Sequence, residues 1–174
     1  MPHKPVPLEV SIERKITWAE DCFREFGDLL LREEDIARLL KALEKAARNS
    51  HREMAASGVV GLCRECDQRE GGSCCGAGLE DHYSGLLLLI NRLLGADIPE
   101  ERHDPSSCFF LGEGGCLLRA RHVICVNYLC KKITDRIAPR ELSPLREKEG
   151  IELECLFLLN EALKKVLRSA GGEA

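Results

Sequence analysis

Eight of the ten cysteines in this 174-residue chain fall between Cys63 and Cys130, and this concentration limits its structure more than any other feature. Clustered cysteines form disulfides, bind metal or fill a core. The chain begins without an apolar leader, so we expect it to stay in the cytoplasm, where thiols are kept reduced. A chain of this length can also bury enough core to fold without crosslinks. The cluster therefore predicts metal binding.

The spacing of these cysteines is typical of metal ligands. Cys63 and Cys66 form a C-x-x-C step, which directs two thiolates at one centre. The vicinal pair Cys74-Cys75 lies in a glycine-rich loop, whose backbone N–H groups we expect to point at the sulfurs. The predicted ligands are Cys63, Cys66, Cys74, Cys75, Cys108, Cys116, Cys125 and Cys130. His122 is named as one additional candidate, since histidine also binds zinc.

The other two cysteines fit a core. Cys22 has Trp18 and Phe26 four residues away on either side, and Cys155 lies between Leu153 and Leu158. Cysteine at such positions usually behaves as a small buried hydrophobe. We therefore predict packing roles for both.

The sequence predicts one mainly α domain over 1–174, small and helical, with a cysteine-rich metal-binding loop region and one short β-hairpin. The helical frame is expected over 11–58 and 143–170, and the metal site over 60–132. Ser11 is the expected cap of the first helix. The second helix, about 33–56, should bury one face and end at Gly58. That face comprises Ile36, Leu39, Leu40, Leu43, Ala46 and Ala47.

Three further helices are expected. One, about 81–94, is apolar around most of its circumference and should lie in the centre of the fold, and another covers about 121–137. The last is expected to begin with Ser143 as cap and Pro144 at the first helical position. Its expected inner face comprises Ile151, Cys155, Leu158, Leu159, Ala162 and Val166.

The hairpin is expected where residues 108–111 and 116–118 flank a glycine-rich turn. It would bring Cys108 and Cys116 together at its open end. Cys125 and Cys130 would lie about 140° apart on one helix. Either that helix is broken, or the two residues bind different atoms of a cluster.

The order of the eight cysteines resembles that of the zinc- or iron-chelating proteins named for a CxxCxxxCC signature, relatives of flagellin lysine-N-methylase. The resemblance covers about residues 60–130 and includes Arg121. It departs in three places: seven residues precede the vicinal pair, His122 replaces a proline, and Val126 replaces an arginine. It implies metal chelation, and less directly a methyltransferase-like activity.

Iron–sulfur clusters and zinc both take four cysteines. We favour iron–sulfur, because a vicinal pair fits one tetrahedral zinc poorly. The sequence does not choose how the eight divide between sites.

The function expected from such a site is redox or accessory. The alternatives are a zinc-stabilised interaction module and, less favoured, a protein-modifying enzyme. No G-x-G-x-x-G loop supports catalysis by this chain. Residues 119–148 carry a local excess of Lys and Arg that an acidic protein partner would fit, although solvated charge is the simpler interpretation. With 5% aromatic residues, nucleic acid is disfavoured, and no apolar run is long enough for a membrane.

Overall fold

A computed structural model of the chain describes residues 7–69 and 74–171. Its helices are α1 (Ile12–Arg32), α2 (Glu34–Ala56), α3 (Val59–Arg69), α4 (Gly85–Leu93), α5 (Val123–Asn127), α6 (Lys131–Arg136) and α7 (Pro139–Gly171), with a 3-10 turn at Leu79–His82. Strands β1 (Leu111–Gly112) and β2 (Gly115–Cys116) form an antiparallel hairpin. The predicted mainly α fold with a short hairpin is confirmed. Within these ranges, no helix is long and apolar enough to cross a membrane.

The first two helices form where the apolar spacing predicts them. Ser11 precedes α1 as expected, although its side chain caps no backbone N–H. Glu33 is extended and separates α1 from α2. Gly58, with φ +84°, follows α2 as the predicted stop. The predicted face of α2 is buried at all six positions, Ile36, Leu39, Leu40, Leu43, Ala46 and Ala47.

Helix α4 is central, as predicted, but it begins later. Every residue in it except Arg92 is buried. The expected start near residue 81 is wrong, because a 3-10 turn occupies Leu79–His82 and Ser84 caps the helix by accepting the Leu87 N–H at 3.2 Å.

The expected helix over 121–137 is broken into α5 and α6. Tyr128 and Cys130 are both extended, with ψ of 118° and 165°. A broken helix was one of the two explanations for the spacing of Cys125 and Cys130, and it is the one observed.

Helix α7 begins earlier than predicted, and its predicted inner face is observed only in part. It starts at Pro139, which takes the first-position role expected of Pro144, and Pro144 lies inside the helix. Ile151 and Leu158, predicted to face inward, are 49% and 46% exposed. The buried face is Leu142, Leu145, Glu149, Glu152, Leu159, Leu163 and Leu167. Four of the six predicted positions are correct, because Leu159 is buried and Cys155, Ala162 and Val166 pack against the main core. The two buried glutamates interrupt the apolar pattern, so the pattern did not predict the rest of the face.

The buried side chains form two separate clusters. The main core contains residues of α1, α2, α4 and the end of α7, together with Phe109 and Phe110. The smaller cluster lies between α3, α6 and the start of α7. Its members are Val59, Ile133, Ile137, Leu142 and Leu145. The two clusters support different cysteines.

We expect Gly85→Ala to lower the free energy of unfolding by about 1–3 kcal/mol, the usual cost of overpacking a core. A Cβ at this position would lie 2.6 Å from Cε3 of the buried Trp18. Gly150→Ala in α7 is the control, because its Cβ would meet no atom within 4 Å. Denaturant titration measures both, and an unchanged stability for Gly85→Ala would contradict the packing described.

Candidate metal centre

Four of the eight predicted ligands surround one cavity. The cavity has a volume of about 120 Å³. Its lining comprises Leu62, Cys63, Cys66, Cys74, Tyr128, Cys130, Lys132 and Ile133. We call Cys63, Cys66, Cys74 and Cys130 the first cysteine group.

Two helices position most of the first cysteine group. Cys63 and Cys66 lie on α3 rather than in a tight turn, and residues three apart share one helix face. Cys130 immediately precedes α6, where its carbonyl accepts the Ile133 N–H at 3.0 Å. Cys63 and Cys130 both pack against the smaller cluster. The packing of α3 on α6 therefore brings together cysteines that are distant in the sequence.

A positively charged side chain, that of Lys132, lines this cavity. Lys132 Nζ donates a hydrogen bond to Cys66 Sγ at 3.3 Å and lies 3.4 Å from the Glu65 carboxylate. This contact places a positively charged group against one sulfur of the first cysteine group.

The remaining four predicted ligands converge around the hairpin, and we call them the second cysteine group: Cys75, Cys108, Cys116 and Cys125. The Cys108 N–H donates to the Cys75 carbonyl at 2.6 Å. Cys116 pairs with Leu111 across the hairpin, and the Leu111 N–H donates to the Cys108 carbonyl at 2.9 Å. Cys75, Cys108 and Cys125 contact the main core. The expected proximity of Cys108 and Cys116 is thus observed.

Tyr83 connects Cys125 to the hairpin. Its hydroxyl donates to Cys125 Sγ at 3.5 Å and accepts the His122 N–H at 3.1 Å. Its buried ring lies 4.9 Å from the Phe110 ring. His122 caps α5, since its Nδ1 accepts the Ile124 N–H at 3.3 Å. One ring nitrogen of this additional candidate ligand is therefore engaged within the chain.

Burial and mutual charge govern the thiols of the first group. Burial raises the pKa of Cys63 to about 11, and negative charge on Cys74, Cys130 and Cys66 adds to the rise. The hydrogen bond from the Cys75 thiol lowers the pKa of Cys74 to about 6. The same hydrogen bond raises the pKa of the Cys75 thiol, so Cys74 is the more acidic member of the vicinal pair.

The thiols of the second cysteine group are also buried, and backbone N–H groups of neighbouring residues bond to two of their sulfurs. Burial raises the pKa of Cys108 to about 11, and charge on Cys116 and Cys125 contributes. The N–H of Phe110 bonds to the Cys108 sulfur and that of Leu118 to the Cys116 sulfur, and both oppose the rise in pKa. The glycine N–H groups of the vicinal-cysteine loop were expected to point at the sulfurs, but the Gly78 N–H bonds to the Glu80 carboxylate at 3.1 Å instead. Gly71 and Gly72 lie outside the described residues.

Arg121 carries a buried positive charge beside both groups. It is 8% exposed, and in the described part of the chain its Nε and Nη2 have no hydrogen-bond partner. Its charge opposes the rise in the pKa of Cys63 in the first group and of Cys116 and Cys125 in the second. The resemblance included this arginine without giving it a role.

Sequence reasoning missed Asn91, which fixes the segment leading into Arg121. Its Nδ2 donates to the carbonyls of Leu87 and Ala120 at 2.9 and 2.8 Å. Its Oδ1 accepts the N–H groups of Arg119 and Ala120 at 2.8 and 2.9 Å. The sequence did offer one signal for such a role, since Asn91 is the single amide side chain in the most apolar helix.

Sequence reasoning also missed Glu80, which joins the vicinal-cysteine loop to the hairpin segment. It is 3% exposed, pairs with Arg102, and accepts the N–H groups of Gly78 and Phe109 at 3.1 and 3.4 Å. Burial alone would raise its pKa, but the Arg102 hydrogen bond and the backbone donors outweigh burial and lower it. No pattern in the sequence distinguishes it from the other glutamates.

Among the described residues, no group of three or more His, Cys, Asp or Glu side chains is arranged to hold a metal ion. Binding would therefore require the thiols of a group to turn toward a common centre. The two cysteines predicted to pack do so: Cys22 is buried in the main core, and Cys155 is partly buried against it.

Comparison of the chain with protein-family models, curated proteins and solved structures gave no match. The resemblance to the CxxCxxxCC proteins therefore stays a prediction that rests on the order of the cysteines.

We expect Asn91→Ala to destabilise the fold by about 3 kcal/mol or more, because the backbone groups of Arg119 and Ala120 would each lose a hydrogen-bond partner in a buried setting. Asn127→Ala, at an exposed position, is the matched control and should change stability little. Denaturant titration of both proteins measures the difference, and equal stabilities would show that the Asn91 hydrogen bonds contribute nothing.

We expect Glu80→Gln to destabilise the fold at neutral pH by about 1–3 kcal/mol, since charge-assisted hydrogen bonds would be lost. The folded pKa of Glu80 is lowered from 4.5, so its stabilisation is present above that value and is lost as pH falls through the folded pKa. The gap between variant and wild type should therefore narrow in acid. Chemical denaturation at neutral and at acidic pH measures this difference in stability, with Glu113→Gln at an exposed position as control. A gap that does not change with pH would refute the role of the Glu80 charge.

Proposed function

We propose that this chain binds metal through its eight clustered cysteines, in iron–sulfur form, and serves a redox or accessory role. The observation that carries the proposal is the cavity lined by four cysteines from three separate parts of the chain. Thiolates are strong ligands for iron–sulfur clusters and for zinc.

Electrostatics support metal binding. Nearby thiolates repel one another, and this repulsion contributes to the raised pKa of Cys63 and Cys108. A bound cation reverses this effect, because it stabilises every thiolate that ligates it. The buried, incompletely bonded guanidinium of Arg121 also favours negative charge at its neighbours.

Two features support iron–sulfur over zinc. The cavity of about 120 Å³ is larger than a single zinc ion requires. An iron–sulfur cluster is bulkier than one ion and would fill more of this volume. The N–H groups of Phe110 and Leu118 bond to cysteine sulfurs, and such bonds tune the reduction potential of a cluster. A bound cluster would supply one-electron transfer. The chain's own residues would supply thiolates, backbone donors and the Arg121 charge.

Zinc is the second candidate, and the hairpin favours it. Cys116 lies in β2 opposite Leu111, and Cys108 lies just before β1 with its carbonyl bonded to the Leu111 N–H. Two cysteines on this compact turn suit two of the four ligands of a closed tetrahedral site. Under this alternative the chain would be a structural or interaction module.

The proposal includes no nucleic-acid ligand. Much of the basic excess over residues 119–148 is engaged within the chain. Arg119 lies 3.7 Å from Glu44, Arg136 lies 3.0 Å from Glu65, and Arg146 lies 2.8 Å from Glu149. An acidic protein partner is a weaker proposal, supported by the basic excess over residues 119–148 alone. A methyltransferase-like activity is also weaker and is supported by the resemblance alone.

We expect protein purified without oxygen to contain iron and acid-labile sulfide and to absorb broadly in the visible range, since cysteine-bound clusters contain both elements. Metal analysis, sulfide analysis and an absorption spectrum measure this. The double variant Cys22→Ser, Cys155→Ser should retain the metal, because both residues contact the main core outside the cysteine groups. Zinc without colour would favour the structural module, and a chain free of both metals would refute the proposal.

A further inference from the structure

We propose, on the basis of the proposed function, that the eight cysteines form two separate metal centres whose boundary is the Cys74–Cys75 peptide bond. The first centre is held by Cys63, Cys66, Cys74 and Cys130, and the second by Cys75, Cys108, Cys116 and Cys125. The adjacent cysteines of the vicinal pair thus serve different centres.

The cavity provides the first line of evidence. It is lined by all four members of the first cysteine group and by none of the second. Cys74 lies on it, whereas the next residue along the chain does not. The Cys75 carbonyl is instead bonded to the Cys108 N–H at 2.6 Å, and Gly76 pairs with Ser107 in an antiparallel bridge. The backbone of Cys75 and Gly76 is thus held by the segment that precedes the hairpin. The Cys75 thiol still bonds to the Cys74 sulfur, so in the proposed metal-bound state these two sulfurs would turn toward different centres.

The hydrophobic clusters provide independent evidence. Cys63 and Cys130 pack against the smaller cluster. Cys75, Cys108 and Cys125 contact the main core. Because each cluster is an internally packed unit, cysteines on different clusters do not share one tetrahedral or cuboidal centre without repacking.

Helix geometry separates the last two cysteines. Cys125 lies in α5 beside Tyr83, and Cys130 lies at the start of α6, after an extended stretch. This break assigns one cysteine to each group. Two centres of four thiolates each match the ligand number that zinc and iron–sulfur clusters require.

The test compares metal content across three double-serine variants purified without oxygen. We expect Cys63→Ser, Cys130→Ser and Cys108→Ser, Cys125→Ser each to lose about half of the wild-type metal, since each would disrupt one four-thiolate centre. The control Cys22→Ser, Cys155→Ser should lose none. Far-ultraviolet circular dichroism confirms that each variant keeps its helices. The ratio to wild type is diagnostic whichever metal is bound.

A folded variant of either group that loses all of its metal would overturn the division, since the eight would then form one centre. Wild-type protein without metal would instead refute the proposed function, so the two failures are distinguishable.

A second measurement uses only wild-type protein, in case a variant does not fold. Partial metal removal with a chelator is followed by thiol alkylation and mass spectrometry. We expect the four cysteines of one group to become reactive together before those of the other. Simultaneous labelling of all eight in a fixed proportion would contradict two separate centres.

Discussion

The positions of both cysteine groups depend on the Asn91 amide. This side chain extends from the most buried helix and makes four hydrogen bonds, three of them to the backbone of residues 119–120. The segment it holds continues directly to Arg121, to Cys125 and then to Cys130. One buried amide thus fixes the start of a stretch that contributes a cysteine to each group. Because an unpaired backbone group is costly to bury, the segment has little freedom to shift.

Bringing thiols together has an electrostatic cost that the fold only partly offsets. Burial and mutual repulsion raise the pKa of Cys63 and Cys108. The Arg121 charge opposes the rise at Cys63, and the Phe110 N–H opposes it at Cys108. Removing a charge from water is expensive unless it is paired, and Arg121 has two nitrogens without partners in the described chain. Thiolates bound to a metal cation would remove the repulsion between the sulfurs and also pair the Arg121 charge, because they provide negative charge beside the guanidinium without repelling one another.

The sequence predicts the helices whose apolar spacing is uninterrupted and fails where a buried charge breaks the spacing. The six apolar positions predicted for the inner face of α2 are all buried, whereas the polar Ser50, also buried on this helix, was not predicted. The face of α7 was predicted only in part, since Glu149 and Glu152 are buried in it. The candidate ligands could be named from spacing alone. Their division into two groups could not, because it depends on which cluster each cysteine packs against. Asn91 and Glu80 each bind several groups at single points in the sequence, and such contacts leave no periodic signal.

The two cysteine groups pack against hydrophobic clusters of unequal size. In the part of the chain that the structure describes, the main core contains 24 buried residues, whereas the smaller cluster contains five. Apolar burial stabilises in rough proportion to the area removed from water, so the smaller cluster holds α3 and α6 together less strongly. Metal binding is coupled to folding wherever ligands come from separate segments. In the proposed metal-bound state, the first centre would therefore contribute more to local stability than the second, because it joins α3 and α6 where hydrophobic packing is weakest.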